Sequence, residues 1–162
     1  VVCGRAVLHH VPMAEYTVGR LRSRVRPGTR VGFFEPYFRG PLARLAYLEA
    51  TGRPELAPLR VWITALNTLY LANRISPAVG ATLAIAMEEA GYRDVTAVRT
   101  EFETDASVIE NMAMCYDEIR DVVASLGILT AAEVDEQQRL LRALPPGPLP
   151  AVWGVFRVTG VA

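Results

Sequence analysis

The sequence is short of cysteine and carries no surplus of charge. Its two cysteines, Cys3 and Cys115, form neither a disulfide framework nor a metal-ligand spacing. We predict that both are small buried apolar residues, as suits a reducing cytoplasm. The 17 basic and 17 acidic residues cancel. This balance argues against a general nucleic-acid-binding surface, which needs a basic surplus.

The sequence also lacks long hydrophobic runs. The uncharged hydrophobic stretches 61–73 and 75–87 are shorter than the ~20 residues of a membrane span. No signal peptide is visible. We therefore predict no membrane partner and a cytoplasmic location.

The bulk composition is that of a globular protein. Of the 162 residues, 51% are hydrophobic and 21% are charged, which excludes a disordered or fibrous chain. A compact domain of this length buries about 70% of its unfolded surface. We therefore predict a single domain over residues 1–162.

The chain is organised around its first 38 residues, which predict a strand, a helix and a second strand. VVCG at the start is apolar and β-branched, and it predicts a strand buried on both faces. Apolar residues at helical spacing predict a helix over 14–25. Arg-Pro-Gly-Thr at 26–29 predicts a type II turn, and RVGFFEP at 30–36 predicts another buried strand. The two strands of such a βαβ unit should be parallel.

The remaining patterns complete the order β-α-β-α-α-α-β-α-α-β. Helices are predicted over 40–51, 59–74 and 77–90, and a strand nearer the sheet edge over 94–102. A long helix should start at Asp105 or Ser107, and Thr130 with Glu133 has capping-box spacing for the next one. The apolar stripe predicted for the long helix comprises Val108, Met112, Cys115, Ile119, Val122 and Leu126. A stiff proline-rich loop at 145–150 precedes a last strand over 152–161.

Four short motifs give the chain a resemblance to a known family. They are LHHV after the first strand, R-x-R-P-G before the second, Glu35-Pro36 at its end, and AGYRDV at 90–95. Their order resembles the fourth to sixth strands of class I S-adenosylmethionine-dependent methyltransferases. The resemblance implies an α/β fold, namely a partial Rossmann-like sheet with strand order 4-5-7-6 and an antiparallel last strand. Helical insertions at about 40–75 and 104–144 would then form a lid.

The glycine-rich turn and following acid that a cofactor domain of this class needs are not found in the sequence. The chain also begins inside a predicted strand. We expect it to be the carboxyl-terminal part of the methyltransferase domain, preceded by three β-α units of about 30 residues each. On this reading the chain alone does not bind S-adenosylmethionine with useful affinity.

The resemblance implies a role for several residues near the ends of the first two strands. Arg5 and Ala6 would lie beside the methionine part of S-adenosylmethionine, although Arg5 could equally pair with a surface acid. His10 and Glu35 are candidate catalytic bases, because an imidazole or carboxylate can take a proton from the acceptor. The candidate substrate-binding residues are His9, Tyr37, Phe38, Trp62 and Tyr70. Each of these five has a purely structural alternative, such as capping a helix or filling the core.

The implied function is methyl transfer to an oxygen, nitrogen or carbon of a small, largely apolar metabolite, with this chain as the substrate-facing half. No metal is implied, and a homodimer is left open. Two alternatives stay open. The chain could be a non-catalytic α/β interaction or dimerisation module, or part of a nicotinamide-dependent oxidoreductase whose nucleotide motif lies elsewhere.

Overall fold

The structure is a computed structural model that describes residues 1–38, 40–145, 149–152 and 154–162. The chain divides into two compact units. One, which we call the α/β unit, contains residues 1–37, 73–101 and 154–162. The other, the helical unit, contains the described residues of 38–72 and 102–152.

The described residues form four strands and six α-helices, so the chain has an α/β fold. A short 3-10 helix over Leu8–His10 follows the first strand, and another over Pro54–Leu56 precedes the third α-helix. In chain order, the elements are β1 (Val2–Arg5), α1 (Ala14–Arg22), β2 (Arg30–Tyr37), α2 (Gly40–Ala50), α3 (Ala57–Ala72), α4 (Val79–Glu89), β3 (Arg93–Glu101), α5 (Ala106–Ser125), α6 (Ala131–Arg142) and β4 (Gly154–Val161).

The four strands form one open, mixed sheet in the order β1-β2-β4-β3. β1 and β2 are parallel, with Val2 opposite Val31 and Arg5 opposite Phe34, as the βαβ pattern predicts. β4 lies antiparallel to both of its neighbours, β2 and β3. β3 occupies one edge of the described sheet and β1 the other, so the prediction that β3 lies nearer an edge than the first two strands holds for β2 and not for β1.

The register of β3 is irregular at its start. Arg93 pairs with Val161, and the pairing resumes only at Thr96 with Thr159, so a bulge lies between them. Asp94, inside the bulge, has a φ of 52°. The bulge twists the edge strand locally and leaves part of its backbone without a ladder partner.

Helices α1 and α4 pack on the same face of the sheet. Their buried apolar side chains meet those of β2 and β4 in one core, in which Val18, Val31, Leu83, Met87 and Val158 are buried. Gly80 lets α4 approach β2 closely, because a Cβ at this position would lie 2.8 Å from the backbone oxygen of Glu35.

The prediction that the first strand is buried on both faces is wrong. The burial of β1 alternates along the strand, and Cys3 and Arg5 are exposed. The prediction that Cys3 is a small buried residue is therefore also wrong, whereas Cys115 on α5 is half-buried. The physical reason is that the described helices of the α/β unit cover only the other face of the sheet.

The turn before β2 has the predicted geometry. The Thr29 amide donates to the Arg26 carbonyl at 3.0 Å, and Gly28 has a φ of 83°. A positive φ at the third position is what a type II turn requires, and glycine adopts it without strain. α1 ends at Arg22, three residues earlier than predicted, because residues 23–25 already form the non-helical connection to this turn.

The helical unit is built on two pairs of neighbouring helices, α2 with α3 and α5 with α6. The predicted stripe of α5 is shifted by about one position around the helix. Val122 and Leu126 are nearly half exposed, and the buried side chains are Ile109, Met112, Ala113, Tyr116 and Val123. A stripe of fixed spacing cannot show which of two adjacent apolar rows faces the neighbouring helix.

Both helix starts of this unit agree with the sequence. Thr130 and Glu133 form the predicted capping box at the start of α6. At the start of α5, Asp105 is the cap and accepts from the Val108 amide at 2.9 Å, which selects the first of the two predicted start residues, Asp105 and Ser107. An aspartate cap also places negative charge at the positive end of the helix.

Two further predictions concern the lack of membrane-spanning segments and the last loop of the chain. Among the described residues, no helix combines the length and apolar character that crossing a membrane requires. Part of the proline-rich loop predicted at 145–150 lies outside the described residues.

Candidate functional site

The loop from Ala6 to Met13 connects the carboxyl end of β1 to α1, and both of its end residues have unusual backbone conformations. Ala6 has a φ of 51° and Met13 a φ of 57°. Positive φ costs a non-glycine residue about 1 kcal/mol or more, so the surrounding contacts must hold the loop in place. Such strain is concentrated at functional sites, which makes this loop the first candidate.

The side chain of Glu35, near the end of β2, holds this loop in place through hydrogen bonds to its backbone. Its carboxylate accepts hydrogen bonds from the backbone amides of Val7 and Leu8, both at 3.0 Å, and from that of His9 at 3.2 Å. The side chain is fully buried. One carboxylate thus satisfies three consecutive amides that would otherwise lack partners.

His9 is the fourth partner of the same carboxylate. Its Nδ1 lies 3.0 Å from Oε2 of Glu35, and the imidazole is 6% exposed. If the neutral ring donates from Nδ1 to the carboxylate, its acceptor lone pair is on Nε2. Burial raises the pKa of Glu35, but the hydrogen bonds from His9 and the three amides outweigh it, so the pKa lies below its ordinary value.

His10 is exposed and lies against His9, with their ring centroids 3.8 Å apart. Its partial desolvation there lowers the pKa of His10, the neighbouring His9 lowers it further, and Glu35 opposes both effects. The lowered pKa favours the neutral ring, which is the form that can accept a proton.

Arg5 and Ala6 lie at the carboxyl end of β1. The Arg5 guanidinium is 5.8 Å from the ring centroid of Phe34, and among the described residues it has no acidic partner. The Ala6 amide donates to the Phe34 carbonyl at 2.8 Å, which continues the β1–β2 ladder by one residue. An exposed guanidinium is therefore held at the strand end beside the loop.

Tyr37, the last residue of β2, packs within the α/β unit. Its ring meets that of Phe156 edge to face, with centroids 5.5 Å apart. The Arg99 guanidinium lies 5.3 Å from the centroid of the Tyr37 ring. The cation–π contact and the edge-to-face contact together fix the Tyr37 ring at the carboxyl end of β2.

The other three predicted substrate residues form an aromatic cluster in the helical unit. The Phe38 ring centroid is 6.4 Å from that of Trp62 and 5.7 Å from that of Tyr70. Trp62 is buried and donates from Nε1 to the Met112 carbonyl at 3.1 Å. Tyr70 is half-buried and is the most exposed of the three. Buried packing supports the structural alternative for Phe38 and Trp62.

Two polar residues of these clusters have structural contacts that the sequence analysis did not predict. Glu35 was named there as a candidate base, although an acid inside an otherwise apolar strand is itself a signal of buried hydrogen bonding. Asn67, on α3, is buried, and its Nδ2 donates to the carbonyls of Ile63 and Phe38. Its Oδ1 is buried and has no hydrogen-bond partner among the described residues.

The structure thus brings five of the predicted site residues together in the α/β unit. They are Arg5, Ala6, His9, His10 and Glu35, and they lie within or just after the carboxyl-terminal ends of two adjacent parallel strands. In the described part of the chain, no group of three or more His, Cys, Asp or Glu side chains is placed to hold a metal ion. No protein-family model matches the chain, and no curated protein matches its sequence.

Proposed function

We propose that the chain belongs to an enzyme that transfers a methyl group from S-adenosylmethionine to an oxygen, nitrogen or carbon of a small, largely apolar metabolite. The observation that carries the proposal is the His9–Glu35 pair at the carboxyl ends of β1 and β2. Ligands of open α/β sheets bind outside the carboxyl ends of parallel strands. The buried His9–Glu35 pair lies at that edge, together with Ala6 and Met13, two of the four described non-glycine residues that have a positive φ.

The mixed open sheet supports the proposal. If β1 to β4 are taken as the fourth to seventh strands of such a domain, the order β1-β2-β4-β3 with an antiparallel β4 reads as 4-5-7-6. We therefore propose a partial Rossmann-like methyltransferase sheet, to which the helical unit is an insertion.

The residues present fit one end of S-adenosylmethionine. The exposed guanidinium of Arg5 suits the carboxylate of the methionine part, because arginine binds carboxylates with two parallel hydrogen bonds. Ala6 has a small side chain at the turn that follows the strand, which leaves room for a ligand. The sequence offers no glycine-rich turn for the nucleotide end, so the chain would supply only part of the site.

When bound, S-adenosylmethionine supplies a methyl group whose sulfonium leaving group is already activated. The chain's own residues then have to position the acceptor, exclude water and remove a proton where the acceptor carries one. His10 is the proposed base, since its ring is exposed and its pKa is lowered. Glu35, with four hydrogen bonds on its carboxylate, is better suited to position His9 and the loop than to exchange protons with a substrate.

The proposal is tested with the product of the complete reading frame that contains this chain. We expect that product to bind S-adenosylmethionine in calorimetry and to transfer labelled methyl groups to small apolar acceptors. His10→Asn should lower kcat about 100-fold for an acceptor that carries a proton, with little change in the affinity for the cofactor. Tyr16→Phe on the exposed side of α1 is the matched control.

Three outcomes would count against the proposal. Failure of the complete product to bind S-adenosylmethionine contradicts it outright. Binding of a nicotinamide dinucleotide instead would favour the oxidoreductase alternative, and binding of neither cofactor would favour the interaction module. Full turnover in a variant with both His10 and Glu35 replaced by apolar residues would remove these two from the chemistry.

A further inference from the structure

Met13, the residue that precedes α1, is unusual in both its backbone and its side chain. It is the N-cap of the helix, with φ 57° and ψ 52° in the left-handed region, and its side chain makes no capping hydrogen bond. An N-cap residue normally has an extended backbone, and Ser, Thr, Asp, Asn or Gly is preferred there. Methionine provides no strong acceptor for the helix amides and tolerates positive φ poorly.

Two other non-glycine residues with positive φ have ordinary local explanations. Arg74 lies just past the end of α3, where a left-handed residue commonly closes a helix. Asp94 lies in the bulge of β3, and aspartate adopts this conformation more readily than most residues. Met13 lies at the start of a helix, so neither explanation applies to it. The conformational cost at Met13 therefore has to be offset by something else.

Burial of the Met13 side chain does not offset this cost, because the side chain is 67% exposed. Leu8 of the same loop is buried in the core of the α/β unit, and it anchors the loop there. Val7, by contrast, is 49% exposed. The loop therefore directs one large apolar side chain into the core and leaves those of Val7 and Met13 largely in solvent.

His10 lies between these two apolar residues in the chain. Its amide donates to the Val7 carbonyl at 3.1 Å, so Val7 and His10 are one turn of 3-10 helix apart, and side chains at this spacing are eclipsed. The three residues from His10 to Met13 span at most about 11 Å, which a ligand of metabolite size can bridge. The Glu35 carboxylate accepts from the Val7 amide and fixes the start of this arrangement.

The surface of the loop is also neutral. Residues 6–14 contain no acidic side chain and no basic side chain other than the two histidines. An exposed imidazole between two exposed apolar side chains suits an acceptor whose reactive O–H or N–H group is attached to an apolar body. The charged methionine end of S-adenosylmethionine is less suited to such a surface. The unbranched, flexible side chain of methionine can adapt to the shape of an apolar ligand.

We infer that the side chains of Val7 and Met13 contact the methyl acceptor, and that Met13 determines a preference for acceptors with an apolar group beside the methylated atom. This inference rests on the proposed function and adds a specificity-determining residue to it. Met13 holds the acceptor near His10 and takes no part in the proton transfer. The acceptor then gives the exposed methionine the apolar contact that the folded chain does not.

Stability measurements distinguish this role from a structural one. Met13→Asn introduces a side chain that tolerates the left-handed conformation and is favoured at an N-cap. In the 162-residue chain we expect its Tm to stay unchanged or to rise by up to about 4 °C. Met13→Leu keeps an apolar side chain of similar volume and should leave Tm within about 1 °C of the native value. A fall of more than about 3 °C in Met13→Asn would show that Met13 serves folding, and would overturn the inference.

Selectivity is measured with the product of the complete reading frame and S-adenosylmethionine. The acceptor probes are phenols and anilines that carry a para-alkyl chain of one to four carbons. For the native product we expect kcat/KM to rise about twofold or more with each added methylene group. In Met13→Asn the rise should drop below about 1.3-fold, with an unchanged Kd for S-adenosylmethionine in calorimetry. Met13→Leu should keep the native dependence, as should Ile85→Gln, the matched control at an exposed position of α4.

The possible contrary results separate the inference from the proposed function. If Met13→Asn shows the same dependence on alkyl length as the native product, the inference is wrong and the proposed function stands. Weaker binding of S-adenosylmethionine with an unchanged acceptor preference would assign Met13 to the cofactor and would also overturn the inference. A native product that binds S-adenosylmethionine but methylates none of the probes excludes the acceptor class that the inference names. Failure to bind S-adenosylmethionine contradicts the proposed function and the inference together.

Discussion

Glu35 and its four hydrogen bonds determine the shape of the loop after β1. A carboxylate has four acceptor positions, and here three backbone amides and one imidazole are directed at it. No other acid of the α/β unit is fully buried. These contacts stabilise the strained backbone conformations of Ala6 and Met13. A change at Glu35 should therefore alter the conformation of the whole loop.

The substitution Glu35→Gln should destabilise the folded chain by about 2–4 kcal/mol. Glutamine replaces one acceptor oxygen with an NH₂ group, which then faces amide donors and leaves them unsatisfied. Urea unfolding followed by circular dichroism measures the difference. Glu89→Gln, at an exposed position of α4, is the matched control and should change stability by less than about 0.5 kcal/mol. Equal effects of the two variants would show that the buried contacts are unimportant.

The contribution of Glu35 to stability should also depend on pH. Because its pKa is lowered in the folded state, its stabilisation is complete above the unfolded value of about 4.3 and is lost as the pH falls through the lower folded value. The stability difference between the native chain and Glu35→Gln should therefore shrink between pH 5 and pH 2. Urea titrations across this range test it. A stability difference that stayed constant would mean that the pKa of Glu35 is the same in the folded and the unfolded state.

At the residue scale, the sequence grouped residues that contact one another but did not predict the individual contacts. LHH and Glu35 were singled out from their positions near the ends of two strands, and the structure places His9 against Glu35. Which histidine faces the carboxylate depends on a single turn of 3-10 helix, Leu8–His10, and on the unusual φ of Ala6. Neither feature has a sequence signal, since alanine rarely adopts that conformation.

The elements of the chain were more predictable, because periodicity and turn chemistry are local. The parallel pairing of β1 with β2, the Pro27-Gly28 turn and the capping box of α6 follow directly from short motifs. The exposure of β1 could not be deduced in this way. It depends on which elements are packed against the strand, and local sequence does not contain that information.

Two glycines in helices provide a test of how closely the elements pack. Gly80→Ala in α4 should cost about 1–3 kcal/mol, because its Cβ would meet the backbone oxygens of Glu35 at 2.8 Å and Pro36 at 3.1 Å. In Gly19→Ala, on α1, the new Cβ would have no described atom within 4 Å outside its chain neighbours and its own helix backbone, so this change should stabilise by about 0.5–1 kcal/mol. Thermal unfolding of both variants measures the contrast. If Gly80→Ala were also stabilising, α4 would not contact β2 as described.

On the scale of the whole molecule, the zero net charge of the chain is the sum of a positively charged unit and a negatively charged unit. The α/β unit has ten arginines and six acids, and the range of the helical unit has seven arginines and eleven acids. All 17 basic residues of the chain are arginine. The prediction of no nucleic-acid partner was made from the net charge of the whole chain. It stays a prediction for each unit taken separately.

The 162-residue chain alone should not respond to S-adenosylmethionine. Under the proposed function the chain would hold only the methionine end of the site, so its affinity should be too weak for about 1 mM ligand to raise Tm by more than about 1 °C. Differential scanning fluorimetry measures the Tm of the chain with and without S-adenosylmethionine. S-adenosylhomocysteine serves as a second probe. A clear rise with either compound would show that the chain contains a complete binding site.

The bulge at the start of β3 has a consequence for how the sheet can grow. β3 is a long edge strand, and such edges invite unwanted pairing with other chains. Here the bulge around Asp94 interrupts the ladder at one end, and charged side chains stand at both ends of the strand, from Arg93 to Glu101. These are devices that discourage the docking of another strand. A further strand is therefore less favourable beside β3 than beside the other edge strand of the described sheet, β1.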